Sequence, residues 1–333
     1  MITVSQDGRG DFRSIQEAVD AMAADACGPA DGGTAPRVIR IRPGVYRERV
    51  AVYADGVTLE GEDPEQTVIT FDASAMQTAP DGTERTTFRS WTVMICGRDV
   101  TLRNLTVRND AGDGREVGQA VAVYAAGDRG RFIGCRFIAH QDTLYCGPLR
   151  EPDVTEELGA RRGSAEAHPL VQNGPLTTSR LYFRQCCIEG DVDFIFGNYR
   201  CWFEDCTLFM GERGGWYTAA NTHGDQPYGF VFHHCFLTGC CAPGKAFLGR
   251  PWRAGAYTVF LACRMDAHVA GQGFADWDEE RQVTGRLGEW RTEGPGAAPG
   301  MRHPRQKRLT DTEAAAITLP AVLGGGDGWN PEF

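Results

Sequence analysis

The chain has 333 residues, 42% hydrophobic and 23% charged, which is enough for one large domain or two ordinary ones with a substantial core. A formal charge of −10 argues against broad nucleic-acid binding, which needs excess basic surface, and no run of about 18 apolar residues suggests a membrane span. The 42 glycines favour a turn-rich β architecture over a helical one.

The chain begins with helix and strand signals in close succession. The segment 14–17 resembles a capping box, and Ile15, Ala18, Val19 and Met22 follow at helical spacing, which predicts a short amphipathic helix. A Gly/Pro-rich loop over residues 27–36 comes next. Short strands are then predicted at residues 38–42, 45–46, 57–61 and 67–70, each ended by glycine, proline or a charge.

From Trp91 onward one pattern recurs: an apolar residue, two variable positions, Cys or Asn, and another apolar residue two further on. Its Cys/Asn positions are Asn104, Cys135, Cys186, Cys206, Cys235 and Cys263. Apart from one interval of 51, the spacings of 31, 20, 29 and 28 residues suit the stacked coils of a solenoid. They predict an all-β, single-domain right-handed parallel β-helix with a capping helix, an internal cysteine ladder, and long loops on one side.

Two segments interrupt this pattern. The 51-residue interval contains residues 146–180, without clear periodicity, which we interpret as an insertion loop between coils. Beyond Asp276 the repeat is lost, and residues 298–333 are predicted to form a C-terminal tail whose helix, about 311–317, caps or braces the end. Residues 1–333 are therefore expected to form one domain.

The 12 cysteines include no CxxC pair, which makes a zinc or iron-sulfur site improbable. Most of them lie in apolar, strand-like runs, so buried free thiols are favoured over disulfides. No basic region followed by an apolar one comes after Met1. A cytoplasmic chain is the simpler expectation, although a secreted protein without its leader would look the same.

Two stretches place acids among apolar side chains, where an ionised carboxylate needs a partner. Residues 190–197 contain Asp191 and Asp193, which either cap backbone amides in a loop or serve chemistry. Residues 141–145 place Asp142 between an amide and an aromatic residue. With two such acids, one can attack a substrate while the other transfers protons.

Five segments carry a resemblance to a known family: residues 118–123, 141–145, 191–197, 248–252 and 288–297. In order and type they resemble the pectin methylesterases, which are carbohydrate esterases built on a right-handed parallel β-helix. The resemblance runs from about residue 8 to residue 297, apart from the insertion. It implies hydrolysis of the methyl esters of galacturonate in pectin or methylated oligogalacturonides, with release of methanol and pectate.

The resemblance also assigns roles to five residues. Asp193 is the expected nucleophile, and Asp142 the acid and base that protonates methanol and then activates water. Gln119 and Gln141 are expected to stabilise the oxyanion, and Arg250 to hold Asp193 ionised. Strict strand alternation would send Gln141 and Asp142 to opposite faces, so a bend in the chain is needed to bring them together.

Three aromatic residues are candidate platforms for sugar rings: Trp252, Tyr145 and Phe196, with solenoid core as a close alternative for Phe196. No cofactor and no metal ligands are predicted, since the adjacent His233 and His234 would point to opposite sides of a strand. We expect a monomer whose partners are pectin or oligogalacturonides, not nucleic acid or membrane. The alternatives are a β-helix polygalacturonase-like glycosidase and a non-catalytic carbohydrate-binding solenoid.

Overall fold

The computed structural model describes residues 1–24, 37–147 and 180–332. Within these ranges the chain winds through three parallel sheets, and each full coil contributes one strand to each sheet in the same order. The prediction of a parallel β-helix is therefore confirmed. No helix in the described ranges has both the length and the apolar character needed to cross a membrane.

The described strands fall into sheets of eleven, eight and seven strands. The eleven-stranded sheet contains β1 Ile2–Val4, β2 Arg37–Ile41, β5 Val57–Gly61, β8 Thr101–Arg103, β11 Gly130–Ile133, β14 Arg180–Arg184, β17 Arg200–Glu204, β21 Phe230–His233, β25 Thr258–Leu261, β27 Leu287–Trp290 and β28 Lys307–Arg308. The eight-stranded sheet contains β3 Gly44–Arg47, β6 Thr67–Phe71, β9 Thr106–Asn109, β12 Arg136–Ile138, β15 Cys187–Gly190, β18 Thr207–Met210, β22 Phe236–Gly239 and β26 Arg264–Met265.

The seven-stranded sheet positions the candidate site. It contains β4 Val50–Val52, β7 Val93–Ile95, β10 Val123–Ala125, β13 Leu144–Cys146, β16 Ile195–Gly197, β20 Thr218–Ala220 and β24 Arg250–Pro251, while β19 Gly215–Trp216 pairs separately with β23 Ala246–Phe247. The helical segments of the described chain are α1 Ile15–Ala24, a 3-10 turn Thr87–Arg89, α2 Gly114–Val117, α3 Asp311–Ala316 and α4 Leu319–Leu323.

The core is built from columns of like residues on successive coils. One column stacks phenylalanine rings with centroids 4.4 to 4.6 Å apart, and its members are Phe132, Phe183, Phe203, Phe232 and Phe260. Beside it runs the cysteine column, in which a thiol donates to a carbonyl of the preceding coil, as from Cys186 to Phe132 O at 3.3 Å. All cysteines of the described residues are free, which confirms the predicted ladder of thiols.

A single left-handed residue turns the chain from the eleven-stranded sheet into the eight-stranded sheet. Asn104 occupies this turn with φ +51°, as Gly134 does with φ +60° in the next coil. Leu102 pairs with Phe132, so Leu105, not Asn104, shares the column of Cys135. The sequence repeat therefore aligned Asn104 with the cysteines one position too early; asparagine tolerates the left-handed turn that it occupies here.

The predicted N-terminal helix is confirmed as α1, but only half of its predicted capping box is present. Ser14 Oγ accepts from the Glu17 amide at 3.3 Å, as expected. The remaining amides are capped from another coil: Glu48 accepts from the backbone N–H groups of Ile15 at 2.9 Å and Gln16 at 3.0 Å. A carboxylate at a helix N-terminus satisfies amides that the helix leaves unpaired, so α1 is fixed to the solenoid at this end.

The predicted C-terminal helix is confirmed as α3, Asp311–Ala316, but the rest of this region departs from the prediction. The eleven-stranded sheet continues past Asp276 through β27 and β28, although the sequence repeat is lost. Helices α3 and α4 pack on the outer face of that sheet, in a cluster with Tyr182 and Trp202, and do not cap its end. The two helices thereby bury apolar residues on the outer face of this sheet.

The ends of the predicted insertion 146–180 belong to strands. Cys146 closes β13, and Arg180 opens β14, fully buried with ion pairs to Asp128 at 2.8 Å and Asp327 at 2.7 Å. Residues 148–179 lie outside the described residues, as does the whole of the predicted loop 27–36. Arg180 was misassigned because its buried carboxylate partners come from distant parts of the chain.

Candidate active site

Asp142 and Asp193 occupy equivalent positions on consecutive coils of the seven-stranded sheet. Leu144 pairs with Ile195, and the Asp142 amide donates to Val192 O at 3.0 Å, so each acid lies two residues before its strand. Neighbouring strands in a sheet are about 4.8 Å apart, which places the two acids in adjacent layers. Both are almost fully buried.

Both acids adopt left-handed backbone conformations, with φ +66° at Asp142 and +52° at Asp193. This turn supplies the bend that the sequence required, because Gln141 and Asp142 precede β13 and do not alternate along a strand. A left-handed non-glycine residue costs about 1–3 kcal/mol and is common at functional sites. The strain is consistent with side chains aimed for chemistry.

Close packing between the two coils depends on glycine. A Cβ on Gly190 would lie 2.7 Å from Thr143 Oγ1 and 2.3 Å from Phe194 Cβ. Gly197 has φ +127°, and a Cβ there would lie 2.2 Å from Cys146 O. Glycines at both ends of 190–197 therefore let the coil that carries Asp193 press against the coil that carries Asp142.

Arg250 binds the Asp193 carboxylate in a bidentate pair. Its Nε donates to Oδ1 at 2.9 Å and its Nη2 to Oδ2 at 2.6 Å. Burial raises the pKa of Asp193, and the hydrogen bonds and charge of Arg250 oppose that rise. Of the two causes burial is the larger, so the carboxylate depends on this arginine for its charge.

Gln119 and Gln141 lie on the two coils below Asp193. The Ala120 amide donates to Gln141 O at 3.1 Å, so the segments that carry the two glutamines are neighbours. Both residues are partly exposed, and neither side-chain amide bonds to any residue in 1–24, 37–147 or 180–332. Both amides are therefore available to a ligand.

Comparison with known proteins shows a consistent likeness. The family model described as Pectinesterase matches residues 1–151 and 176–325. Pectinesterase 31 of Arabidopsis thaliana is 32% identical, over 94% of this chain and 89% of the relative. The chain belongs to the pectinesterase family.

Solved structures agree with this membership. The carrot pectin methylesterase is 29% identical with a TM-score of 0.78, over 98% of this chain and 94% of that chain. A pectin methylesterase in complex with a hexasaccharide is 28% identical with a TM-score of 0.76, over 99% and 98% of the two chains. The protein is a carboxylic ester hydrolase whose reaction is the hydrolysis of pectin methyl esters, and the glycosidase and binding-solenoid alternatives are not favoured.

Aromatic side chains cover the outer face of the seven-stranded sheet in this pectinesterase family member. Tyr145 and Phe196 form part of one column, with centroids 4.8 Å apart, and Phe88 lies against Tyr145 at 5.2 Å. Tyr145 is 1% exposed, Phe196 4% and Trp252 8%. Tyr145 therefore offers no free ring face, because it is fully buried against Phe88, whereas Phe196 and Trp252 retain a small exposed fraction.

Two tryptophans that the sequence prediction missed complete the site. The Arg250 guanidinium lies 3.8 Å from the ring of Trp216 and 3.9 Å from that of Trp277. Such cation–π contacts are worth up to about 2 kcal/mol when desolvated, and they fix the plane of the guanidinium. Neither tryptophan belongs to a repeated motif, so no sequence signal separated them from core residues.

Asp191 differs from Asp193 although both are buried. Its Oδ1 accepts from the Val192 amide at 2.6 Å, as predicted for a residue that caps a turn. Its Oδ2 lies 3.4 Å from Nδ1 of His140, whose pKa is raised by the hydrogen bond with this carboxylate against the opposing effect of burial. The two acids of 190–197 thus have separate partners, His140 for one and Arg250 for the other.

Proposed function

We propose that this enzyme demethylates galacturonate residues of pectin or methylated oligogalacturonides through a covalent acyl-enzyme on Asp193. The observation that carries the proposal is the bidentate Arg250–Asp193 pair, placed one layer from Asp142. A buried carboxylate held ionised by arginine is suited to attack. A second acid within the next layer is suited to proton transfer.

In the acylation step, an oxygen of the Asp193 carboxylate attacks the carbonyl carbon of the methyl ester. The carbonyl oxygen gains negative charge, and the amides of Gln119 and Gln141 donate hydrogen bonds to it. The carbon–methoxy bond then breaks, and Asp142 in its protonated form gives its proton to the departing methoxide. Methanol leaves, and the galacturonate acyl group remains bound to Asp193 as a mixed anhydride.

In the deacylation step, Asp142 is now a carboxylate and takes a proton from water. The hydroxide attacks the same acyl carbon, the anhydride bond breaks, and Asp193 leaves as a carboxylate. The product is the free acid, and Asp142 is protonated again for the next turnover. One water is consumed and one methanol is released per cycle.

This division of roles follows from charge. Two carboxylates in adjacent layers do not both ionise easily, and the one with a cationic partner keeps its charge at lower pH. Arg250 contacts Asp193, so we assign the charge to Asp193 and the proton to Asp142. The nucleophile is thereby charged while the general acid holds a proton.

Two slightly exposed aromatic residues support a sugar-binding role for this face. Trp252 and Phe196 lie with ring centroids 6.2 Å apart on the sheet that carries Asp142 and Asp193. We assign them to the walls of the substrate groove, and we place Tyr145 beneath them as support.

The experiment that tests the function measures methanol and reducing ends together on methylated pectin. Methanol release should equal the carboxylate formed, with no rise in reducing ends. Reducing ends that increase in step with product would instead indicate a glycosidase. Binding of pectin without methanol release by the wild-type protein would indicate a carbohydrate-binding solenoid.

A further inference from the structure

A cluster of metal-ligating side chains lies on the eleven-stranded sheet, apart from the strands that carry the active-site acids. Glu204 ends β17 and His233 ends β21, and the two residues are paired across the sheet. Together with His234 they bring one carboxylate oxygen and two imidazole nitrogens within 4.8 Å of one another. The described cluster is thus a set of three donors from two neighbouring coils.

His234 joins the cluster because of its backbone. Adjacent residues on a strand point to opposite sides, and on that ground the sequence predicted no shared ligand role for this pair. His234, however, is the left-handed turn residue of its coil, with φ +53°. The imidazole rings of His233 and His234 consequently stack, with centroids 4.0 Å apart and planes at 23°, so the alternation argument was wrong here.

The carboxylate of Glu204 has two side-chain hydrogen-bond partners. His233 Nδ1 lies 2.9 Å from Oε1, and the indole N–H of Trp202 donates to Oε2. A half-buried carboxylate therefore faces two imidazoles.

Two members of the cluster, Glu204 and His233, line a cleft that has room for an ion and its waters. The cleft, about 520 Å³, lies between the sheet and the segment that contains α3. Its lining includes three further acids, Asp205, Asp311 and Glu332, and one basic residue, Arg184. Their net charge favours a cation over an anion at this place.

We propose that Glu204, His233 and His234 form a binding site for one divalent transition-metal ion, with Zn²⁺ as the best match. Two imidazoles and a carboxylate are ligands that zinc accepts, at about 2.0–2.2 Å each, and tetrahedral geometry leaves a fourth position for water. Two ligands of one ion lie at most about 4.2 Å apart, so donors now within 4.8 Å need only small side-chain movements.

The site is separate from ester hydrolysis. Its residues lie at the ends of β17 and β21, whereas Asp142 and Asp193 precede β13 and β16 of the seven-stranded sheet. Zinc binding should therefore leave methanol release unchanged. The zinc-site proposal does not depend on the assigned catalytic roles, so it can be wrong while those roles are correct.

The test is calorimetric titration of the full-length protein with Zn²⁺. The background is Cys240→Ser, which removes the exposed thiol of the described residues as a competing ligand. We expect one equivalent to bind, and binding to weaken at least tenfold in both His234→Gln and Glu204→Gln. The His234 side chain is exposed, so its replacement should leave the fold intact, which circular dichroism verifies.

The matched control is His223→Gln. His223 is an exposed histidine with a carboxylate, Asp225, at 2.6 Å from its Nδ1, and it offers two donors where the cluster offers three. Its replacement should not change zinc affinity. Equal weakening in His223→Gln, undiminished binding in His234→Gln, or no binding at millimolar Zn²⁺ would overturn the proposal.

Discussion

Replacement of Arg250 by methionine tests whether this side chain controls the charge of Asp193. The arginine makes two charge-assisted hydrogen bonds to the carboxylate, at 2.9 and 2.6 Å. At about 1.5 kcal/mol each, the lower end for such bonds, their loss disfavours the anion by about 3 kcal/mol. One pKa unit corresponds to about 1.4 kcal/mol, so the ionisation of Asp193 should move upward by about two pH units. Methionine keeps aliphatic bulk between Trp216 and Trp277.

The assay is the pH dependence of kcat/KM for methanol release. The attacking form of Asp193 is the carboxylate, and burial already raises its pKa above the ordinary 3.8, so activity is lost as pH falls through the raised value. In the variant this acid limb should appear about two pH units higher. The contribution of Asp193 to folding stability should have the opposite pH dependence. A buried acid with a raised pKa stabilises the fold below its unfolded pKa, and this contribution is lost as pH rises through the folded pKa.

A matched control is available in Arg302→Met. Arg302 makes a similar buried bidentate pair with Glu289, at 2.6 and 2.9 Å, on the eleven-stranded sheet. Its loss should lower stability by about 3–5 kcal/mol without moving the acid limb. The reasoning is refuted if the limb stays in place in Arg250→Met while the rate falls uniformly, or if both variants move it equally.

Three further predictions concern other residues. Gln119→Ala and Gln141→Ala should each lower kcat by about 10²–10³ with little change in KM, because the amides act on the oxyanion; a change in KM alone would contradict this. Asp142→Asn should lower kcat by about 10²–10⁴ on methyl esters. With an ester whose leaving group is an acidic phenol, acylation, measured as a burst of phenol, should fall far less. Equal losses on the two substrates would exclude the proton-donor role. Glu48→Ala should cost about 0.5–2 kcal/mol in urea unfolding, since it removes the cap of α1, and an unchanged midpoint would show that the cap is dispensable.

The sequence was sufficient to predict the coil architecture because a solenoid repeats its packing. Cysteines at regular intervals indicated a column, and the structure confirms that column with Phe132 and its equivalents beside it. The Asn104 position was misassigned, because asparagine can stand in a left-handed turn as well as in a ladder. The strands β27 and β28 were missed because they extend the sheet without repeating the residues of earlier coils.

The candidate site was predictable in composition but not in geometry. Asp142, Asp193 and Arg250 were chosen from the family resemblance, and their roles stay predictions that the contacts support. The left-handed turn at Asp193 and the stacking of Trp216 on Arg250 are tertiary features, without a local sequence signature. The predictions of a monomer and of a cytoplasmic location likewise stay predictions, because the geometry of the site does not bear on oligomeric state or location.

The same left-handed geometry explains both a success and an error. At Asp142 it brings consecutive residues into one site, as the resemblance required. At His234 it brings two consecutive imidazoles together, which a strict strand pattern excluded. Strand periodicity is therefore a poor guide at the turns of a parallel β-helix, where functional groups collect.

The central claim is that Asp193, and not its buried neighbour Asp191, is the nucleophile, and one pair of variants tests it directly. Methanol release from methylated pectin is measured for Asp193→Asn and Asp191→Asn, with oligogalacturonide binding as the control for folding. The account predicts a loss of at least about 10⁴-fold in Asp193→Asn, and activity within about tenfold of wild type in Asp191→Asn, with binding retained in both. Substantial methanol release by Asp193→Asn, or an equal loss in Asp191→Asn, would contradict it.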